Sequence, residues 1–213
     1  MRRNWVFQGF VVTSLVVALS SGVGAQTVEI VTADDAAKTA LSVGAKAPAF
    51  SLKDSTGATV ESRAILKKGN MVLVFYRGAW CPFCNTYLHK LQTRLTDIAA
   101  AGGKLVAVSV ETPDGSAGVM KKNGVEFTVL SDPNLDVARK FGIVYQLPAD
   151  TDERYRSMGL DLAKRNAMEK PELPLAVTYI IDRSGTIAYA FIETDYKKRA
   201  EPDVIVEELK KLK

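Results

Sequence analysis

The feature that most restricts the fold is a Cys-x-x-Cys segment that lies between an apolar run and a helical pattern. Residues 71–76 form a continuous apolar run of strand length, as expected for a central strand covered on both faces. Cys81-Pro82-Phe83-Cys84 follows closely, and apolar residues then recur at spacings of three and four, at Leu88, Leu91, Leu95 and Ile98. This spacing predicts a helix that ends near residues 101–103, with the cysteines at its N-terminus.

Strand and helix patterns alternate along the rest of the chain. We predict strands at 49–52, 59–61, 105–110, 127–130, 176–181 and 187–191, and helices at 115–123, 134–141 and 203–212. A charged insertion covers 145–174, with one helix predicted near 160–168. The pattern predicts a three-layer α/β/α sandwich around a central mixed sheet. No repeat or linker divides it, so we expect one domain over 46–213, preceded by a loosely ordered lead-in over 26–45.

Residues 1–25 have the pattern of a cleaved export signal. Arg2 and Arg3 precede an apolar run over residues 7–19, and Val23-Gly24-Ala25 supplies small residues for cleavage. The run is shorter than the about 20 apolar residues that a membrane span needs. We therefore predict an exported protein, periplasmic or secreted. The alternative is an uncleaved N-terminal segment that anchors the chain to the membrane.

The charge balance argues against two classes of partner. Without residues 1–25, which contain two arginines and no acids, the chain carries 26 basic and 24 acidic residues. Because the two charges nearly cancel, there is no reason to expect a nucleic acid or a stable membrane partner.

The two cysteines of the pair are the only cysteines in the chain. A disulfide across so small a loop removes little chain entropy and is a poor structural staple. A redox-active pair is therefore the preferred interpretation, and a passive disulfide is the alternative. A structural zinc site would need four ligands, and the chain adds only His89, which helical spacing places away from the face of Cys84. We predict neither a metal nor a cofactor, and a surface position for His89.

The position of the pair gives the two thiols different surroundings. If Cys81 is the N-cap, Pro82 occupies the first helical position, where no N–H is needed. The free N–H groups of Phe83 and Cys84 then point toward the Cys81 sulfur and, with the helix dipole, lower the pKa of its thiol. Cys84 lies one turn before Leu88 on the core-facing stripe, so we expect its sulfur to be the less exposed. One reachable thiolate with a shielded partner suits thiol–disulfide exchange.

Four segments together resemble a known family: residues 75–84 (FYRGAWCPFC), 129–133 (VLSDP), 137–142 (VARKFG) and 179–185 (YIIDRSG). They are similar to peroxiredoxin-like proteins, the alkyl hydroperoxide reductase and thiol-specific antioxidant group. The resemblance runs from about residue 44 to the C-terminus. It implies a thioredoxin-like fold and reduction of hydroperoxides through a cysteine sulfenic acid. It also implies recycling by a thioredoxin-like protein, and leaves the oligomeric state open.

The sequence departs from the family pattern at three positions. The active-site turn of typical members reads Pro-x-x-x-Thr-x-x-Cys. In this sequence Arg77 replaces the proline and Cys81 replaces the threonine, while Cys84 matches the peroxidatic cysteine. The family's arginine lies six residues before the aspartate that Asp182 matches, and that residue is Ala176 here.

The resemblance implies roles for the residues of the turn. Cys84 would attack the peroxide and Cys81 would resolve the sulfenic acid to a disulfide. Arg77, Trp80 and Pro82 are the candidate substrate-binding residues. Helix geometry favours Cys81 as the attacking thiolate instead, and we take the family assignment as the expectation because it rests on several segments.

Two other functions remain open. Cys-Pro-Phe-Cys also resembles the motif of glutaredoxins, so the protein would be a thiol-disulfide oxidoreductase acting on protein disulfides, with Cys81 as nucleophile. A binding module without enzymatic activity on the same fold would leave both thiols without a role.

We predict that the mature chain begins at Gln26, because the small residues before it form the cleavage site. Intact-mass measurement of protein recovered from the periplasmic or extracellular fraction checks this. Retention of Met1 would contradict it.

Overall fold

The computed structural model describes residues 31–166 and 168–213, so the predicted signal peptide over 1–25 lies outside the described residues. The strands in the described part are β1 Ser51–Asp54, β2 Thr59–Glu61, β3 Asn70–Phe75, β4 Gly103–Ser109, β5 Thr128–Ser131, β6 Val144–Gln146, β7 Glu172–Pro174, β8 Thr178–Ile181 and β9 Ile187–Phe191. The helices there are α1 Ala33–Thr39, α2 Ser62–Leu66, α3 Pro82–Thr93, α4 Leu95–Ala100, α5 Pro113–Asn123, α6 Asp136–Lys140, α7 Ala149–Ser157, α8 Leu162–Arg165 and α9 Pro202–Lys210. Within these ranges, no helix has the length and apolar character that crossing a membrane requires.

The main sheet has the strand order β2-β1-β5-β4-β3-β8-β9 and mixes parallel with antiparallel pairs. β3 pairs in parallel with β4 and antiparallel with β8. Alternate residues of β3 face opposite sides, with Val72 and Val74 in one core cluster and Leu73 and Phe75 in the other. Every residue of β3 is buried, so the predicted central strand is confirmed.

Helices cover both faces of this sheet. Buried residues of α3, α4, α5 and α9 join one core cluster, while those of α1, α6 and α8 join the other. The three-layer sandwich around a central mixed sheet is therefore confirmed. The helix predicted after Trp80 is divided in two, because Arg94 (φ −109°, ψ 8°) leaves the helical conformation between α3 and α4.

Helix α1 lies inside the segment that we expected to be a loosely ordered lead-in. Thr32 caps it through a capping box with Asp35, and Ala36 is buried in the core. The Leu41 N–H donates to the Phe141 carbonyl oxygen (3.1 Å). The described part of the lead-in is thus docked, and only the capping residues marked the helix in the sequence.

The charged insertion contains more structure than the single helix predicted there. β6 and β7 form a two-stranded sheet, α8 corresponds to the predicted helix, and α7 precedes it. No residue of α7 is buried, so its sequence carries no apolar periodicity by which a helix is recognised.

We predict that Leu88→Ala destabilises the fold by about 2–5 kcal/mol, because it leaves a cavity under α3. Leu88 is fully buried, whereas its neighbour His89 is exposed. His89→Ala is the matched control and should change stability by less than about 0.5 kcal/mol. Urea unfolding of the two variants measures this, and equal midpoints would contradict the prediction.

Candidate active site

The cysteine pair begins helix α3, as the sequence predicted. Cys81 is the N-cap (φ −88°, ψ 110°) and Pro82 is the first helical residue. The Asn85 N–H donates to the Cys81 carbonyl oxygen (3.1 Å), which starts the helical hydrogen bonds. The Cys81 side chain makes no capping hydrogen bond of full geometry, although the Cys84 backbone N–H is near enough to lower the pKa of its thiol. Both thiols are free, so the structure represents the reduced pair.

Neither sulfur is reachable from the surface in this conformation. Cys81 is 1% exposed and Cys84 is fully buried. Cys84 is thus the less exposed of the two, as expected, but the expectation of a reachable Cys81 thiolate was wrong. The Tyr155 ring of α7, in the insertion, packs against the ring of Trp80 (5.6 Å between centroids), the residue that precedes Cys81 in the chain. The insertion thus contacts the residue next to the pair.

The turn before the cysteines is held tightly. Gly78 has φ +137°, and a Cβ there would lie 2.5 Å from the Trp80 indole nitrogen, so no other residue fits. The Cys81 N–H donates to the Gly78 carbonyl oxygen (3.1 Å). The Ala79 N–H donates to the Glu111 carboxylate (2.8 Å), and the Asn85 side-chain amide donates to the Ala79 carbonyl oxygen (2.8 Å).

Arg77 lies in a cage of aromatic rings. Its side chain is 2% exposed, donates to the Tyr155 hydroxyl (3.0 Å) and lies 3.9 Å from the Tyr196 ring centroid and 4.8 Å from that of Trp80. No carboxylate of the described residues forms an ion pair with it. A buried cation without a counter-charge is costly. The site is therefore built to hold a negative group beside Arg77.

A second guanidinium, which sequence reasoning missed, approaches from the other side. Arg199 lies in the loop over residues 192–201, between β9 and α9, and its Nη2 atom donates to the Cys84 sulfur (3.5 Å). The sequence lacks the family's arginine at Ala176, and nothing in the pattern around Arg199 marks it as a replacement. Only the fold brings together two residues so far apart in the chain.

These contacts shift the pKa values of the two thiols in opposite directions. The Cys84 thiol, through a hydrogen bond, is the largest cause that lowers the pKa of Cys81 to about 6; the Cys84 backbone N–H, Arg77 and Arg199 act in the same direction, against burial. The hydrogen bond to Cys81, burial and the Cys81 charge raise the pKa of Cys84 well above its ordinary value. The pair therefore holds one negative charge near neutral pH, chiefly on Cys81.

The other candidates lie around this centre. Trp80 is half-buried next to Cys81, and Pro82 is exposed at the first turn of α3. His89 is exposed on the same helix, as expected. Among residues 31–166 and 168–213, no three histidine, cysteine, aspartate or glutamate side chains lie close enough to hold a metal ion.

The sequence model of the AhpC/TSA family matches residues 43–190. The chain belongs to the AhpC/TSA family. This AhpC/TSA protein is 27% identical to peroxiredoxin Bcp of Escherichia coli over 171 residues, which cover 80% of this chain and 96% of the relative. A Mycobacterium tuberculosis protein provisionally named a peroxiredoxin is 34% identical over 104 residues, which cover 49% of this chain and 66% of that protein.

Solved structures show the same fold. The peroxidoxin BcpB from Mycobacterium tuberculosis superimposes on 81% of this chain with a TM-score of 0.66 and 19% sequence identity, over 99% of its own length. The thioredoxin-like fold and the peroxiredoxin-like family predicted from the sequence are thus confirmed. So is the enzyme class, an oxidoreductase of the thiol peroxidase type.

We predict that Cys81 of this AhpC/TSA protein reacts with an alkylating agent with a midpoint near pH 6. Because the pKa of its thiol is lowered to about 6, the thiolate persists above this pH and is lost as the pH falls through it. Cys84→Ala should move the midpoint upward, since the Cys84 thiol is the largest cause of the shift. Peptide mapping of alkylation rates across a pH series measures this. A Cys81 midpoint near that of a free cysteine, about 8.5, would contradict the prediction.

Proposed function

We propose that this thiol peroxidase reduces hydrogen peroxide or organic hydroperoxides with Cys81 as the attacking thiolate and Cys84 as the resolving thiol. The observation that carries the proposal is the position of Cys81 as the N-cap of α3. There the Cys84 thiol, the helix N-terminus and the Arg77 and Arg199 guanidinium groups lower the pKa of its thiol. This order of the two cysteines reverses the order that the family resemblance favoured.

In the first step the Cys81 thiolate attacks the terminal oxygen of the hydroperoxide. The S–O bond forms while the O–O bond breaks, so the sulfur is oxidised to the sulfenic acid and the peroxide is reduced. The leaving alkoxide takes a proton and departs as alcohol, or as water when hydrogen peroxide is the substrate. Arg77 is buried, and no carboxylate of the described residues forms an ion pair with it. Its charge therefore stabilises the negative charge that passes from sulfur to the leaving oxygen.

The second step follows from the coupling of the two thiols. The hydrogen bond and charge of the Cys81 thiolate are among the main causes that raise the pKa of Cys84. A neutral sulfenic acid removes that charge, and Arg199 then favours the Cys84 thiolate at 3.5 Å. This thiolate attacks the Cys81 sulfur, the S–O bond breaks, and the departing hydroxide takes a proton to give water. Cys84 therefore keeps its proton until peroxide has oxidised Cys81.

A thioredoxin-like dithiol completes the cycle. One of its thiolates attacks the Cys81 sulfur and releases Cys84 as a thiolate beside Arg199. Its second thiolate then attacks the mixed disulfide and releases Cys81. Because both cysteines are buried, this step requires the contact between Trp80 and Tyr155 to open. The pattern of residues 1–25 supports export, so we propose that the reductant acts in the same exported compartment.

The substrate-binding candidates have distinct places in this mechanism. Arg77 contributes charge, and Trp80 packs against Tyr155 and limits the space beside Cys81. Pro82 is the first residue of α3 and has no N–H group to donate. A small hydroperoxide suits so enclosed a site.

Exchange with protein disulfides remains a second candidate function. A low-pKa thiol at a helix N-cap, followed by a shielded partner, is also what a disulfide oxidoreductase requires. The burial of both sulfurs argues against a folded protein as the first substrate, since such a substrate cannot enter without local opening. A hydroperoxide is much smaller and needs a smaller local opening to reach the buried Cys81 sulfur.

We predict that Cys84→Ser consumes one equivalent of peroxide and stops at a sulfenic acid on Cys81, because the attacking thiolate is retained and the resolving thiol is missing. Cys81→Ser should react no faster than a free thiol. Dimedone trapping followed by mass spectrometry locates the sulfenic acid. His89→Ala serves as a control with both cysteines intact, and should form the disulfide at the wild-type rate.

Two outcomes would change the assignment. A sulfenic acid on Cys84 in the Cys81→Ser protein, with none on Cys81 in the other variant, restores the family order. If the wild-type protein reduces protein disulfides rapidly and peroxide no faster than free cysteine, disulfide exchange is the function instead.

A further inference from the structure

A buried carboxylate that the mechanism above does not use lies behind the active-site turn. Glu111 follows β4 and is 3% exposed. One of its oxygens accepts the Ala79 N–H (2.8 Å), and the other accepts from the Arg165 guanidinium at the end of α8 (3.1 Å). Glu111 thus joins the turn before Cys81 to the insertion.

Two neighbouring glycines leave space for the Glu111 side chain. A Cβ at Gly78 would lie 3.3 Å from the Glu111 carboxyl carbon, and a Cβ at Gly115 of α5 would lie 3.1 Å from the Glu111 Cβ. Both positions are glycine, which leaves room for the carboxylate. Burying a carboxylate is unfavourable unless it is paired and hydrogen-bonded, and here both oxygens have a strong donor.

We propose that Glu111 is a positioning residue, which fixes the Gly78–Ala79 turn so that Cys81 stays at the N-cap of α3. The Ala79 N–H has Glu111 as its partner, and the Cys81 N–H bonds back to the Gly78 carbonyl oxygen across the same turn (3.1 Å). Without the carboxylate, Ala79 loses this anchor and the turn relaxes. The Cys81 sulfur then moves away from the groups that lower its pKa. The inference rests on the proposed function only in taking Cys81 as the reactive thiolate.

The sign of the effect separates positioning from a charge effect. A carboxylate acting through space disfavours a nearby thiolate, so its removal would lower the pKa of Cys81. A carboxylate that positions the turn favours the thiolate, so its removal raises that pKa. The two explanations therefore predict shifts in opposite directions for the same substitution.

The experiment compares Cys81 alkylation across a pH series in the full-length protein. Glu111→Ala should raise the midpoint by about one pH unit, which slows alkylation about tenfold at pH values below the wild-type midpoint. Glu111→Gln keeps an oxygen that can accept the Ala79 N–H, so its midpoint should lie close to the wild-type value. Arg165→Ala removes only the ion pair and should give a smaller upward shift than Glu111→Ala. Glu126 is an exposed carboxylate in the loop between α5 and β5 that accepts from the Gln92 side chain and not from the active-site turn. Glu126→Ala is the matched control and should leave the midpoint unchanged.

Three outcomes would overturn the proposal: an unchanged midpoint in Glu111→Ala, a lowered midpoint, or a loss of thermal stability and reactivity with no shift. If Glu111→Ala does not fold, Arg165→Ala still decides the question, since a wild-type midpoint in that variant contradicts the proposal. Alkylation involves no peroxide, so an enzyme that proves inactive toward peroxide while showing the midpoint shift refutes the proposed function and leaves the positioning role standing.

Discussion

The site depends on one negative charge that two buried thiols share at the start of a helix. Each thiol sets the acidity of the other, because the hydrogen bond that favours the Cys81 thiolate also holds the proton on Cys84. A charge buried in this way needs compensation. The helix N-terminus and the Arg77 and Arg199 guanidinium groups provide it, and much of the surrounding structure serves to hold these groups in place.

Three separate parts of the chain meet at this charge. β3 ends at Phe75 and delivers Arg77 and the turn to Cys81, while the loop after β9 delivers Arg199. The insertion contributes Tyr155, which packs against Trp80 and hydrogen-bonds Arg77. The insertion therefore contacts both Arg77 and Trp80, the residue before Cys81. Since no residue of α7 is buried, this part of the insertion has few apolar contacts to lose on opening.

The chain keeps the chemistry of its family while moving the groups that supply it. Cys81 stands where related proteins have a threonine, which places the second thiol one helical turn from Cys84 in the same motif. Ala176 stands where they have an arginine, and Arg199 brings a guanidinium to Cys84 from a different element. In the proposed mechanism the pair supplies both the attacking and the resolving thiol, so no distant cysteine has to move to form the disulfide. Arg199 then lies beside the thiol that leaves during reduction.

The sequence by itself determined the parts of this protein that depend on local order. Hydrophobic period, glycine and proline positions and the Cys-Pro-Phe-Cys spacing were enough for the central strand, α3, the N-cap at Cys81 and the three-layer fold, because these follow from neighbours within one or two turns. They were not enough for α1 and α7, which have little or no apolar stripe, or for the break at Arg94. Burial of Cys81, the aromatic cage of Arg77 and the contact of Arg199 with Cys84 were decided only by tertiary structure. Each joins residues from separate elements, and the electrostatic energy of a thiolate depends on distances through space that spacing along the chain does not encode.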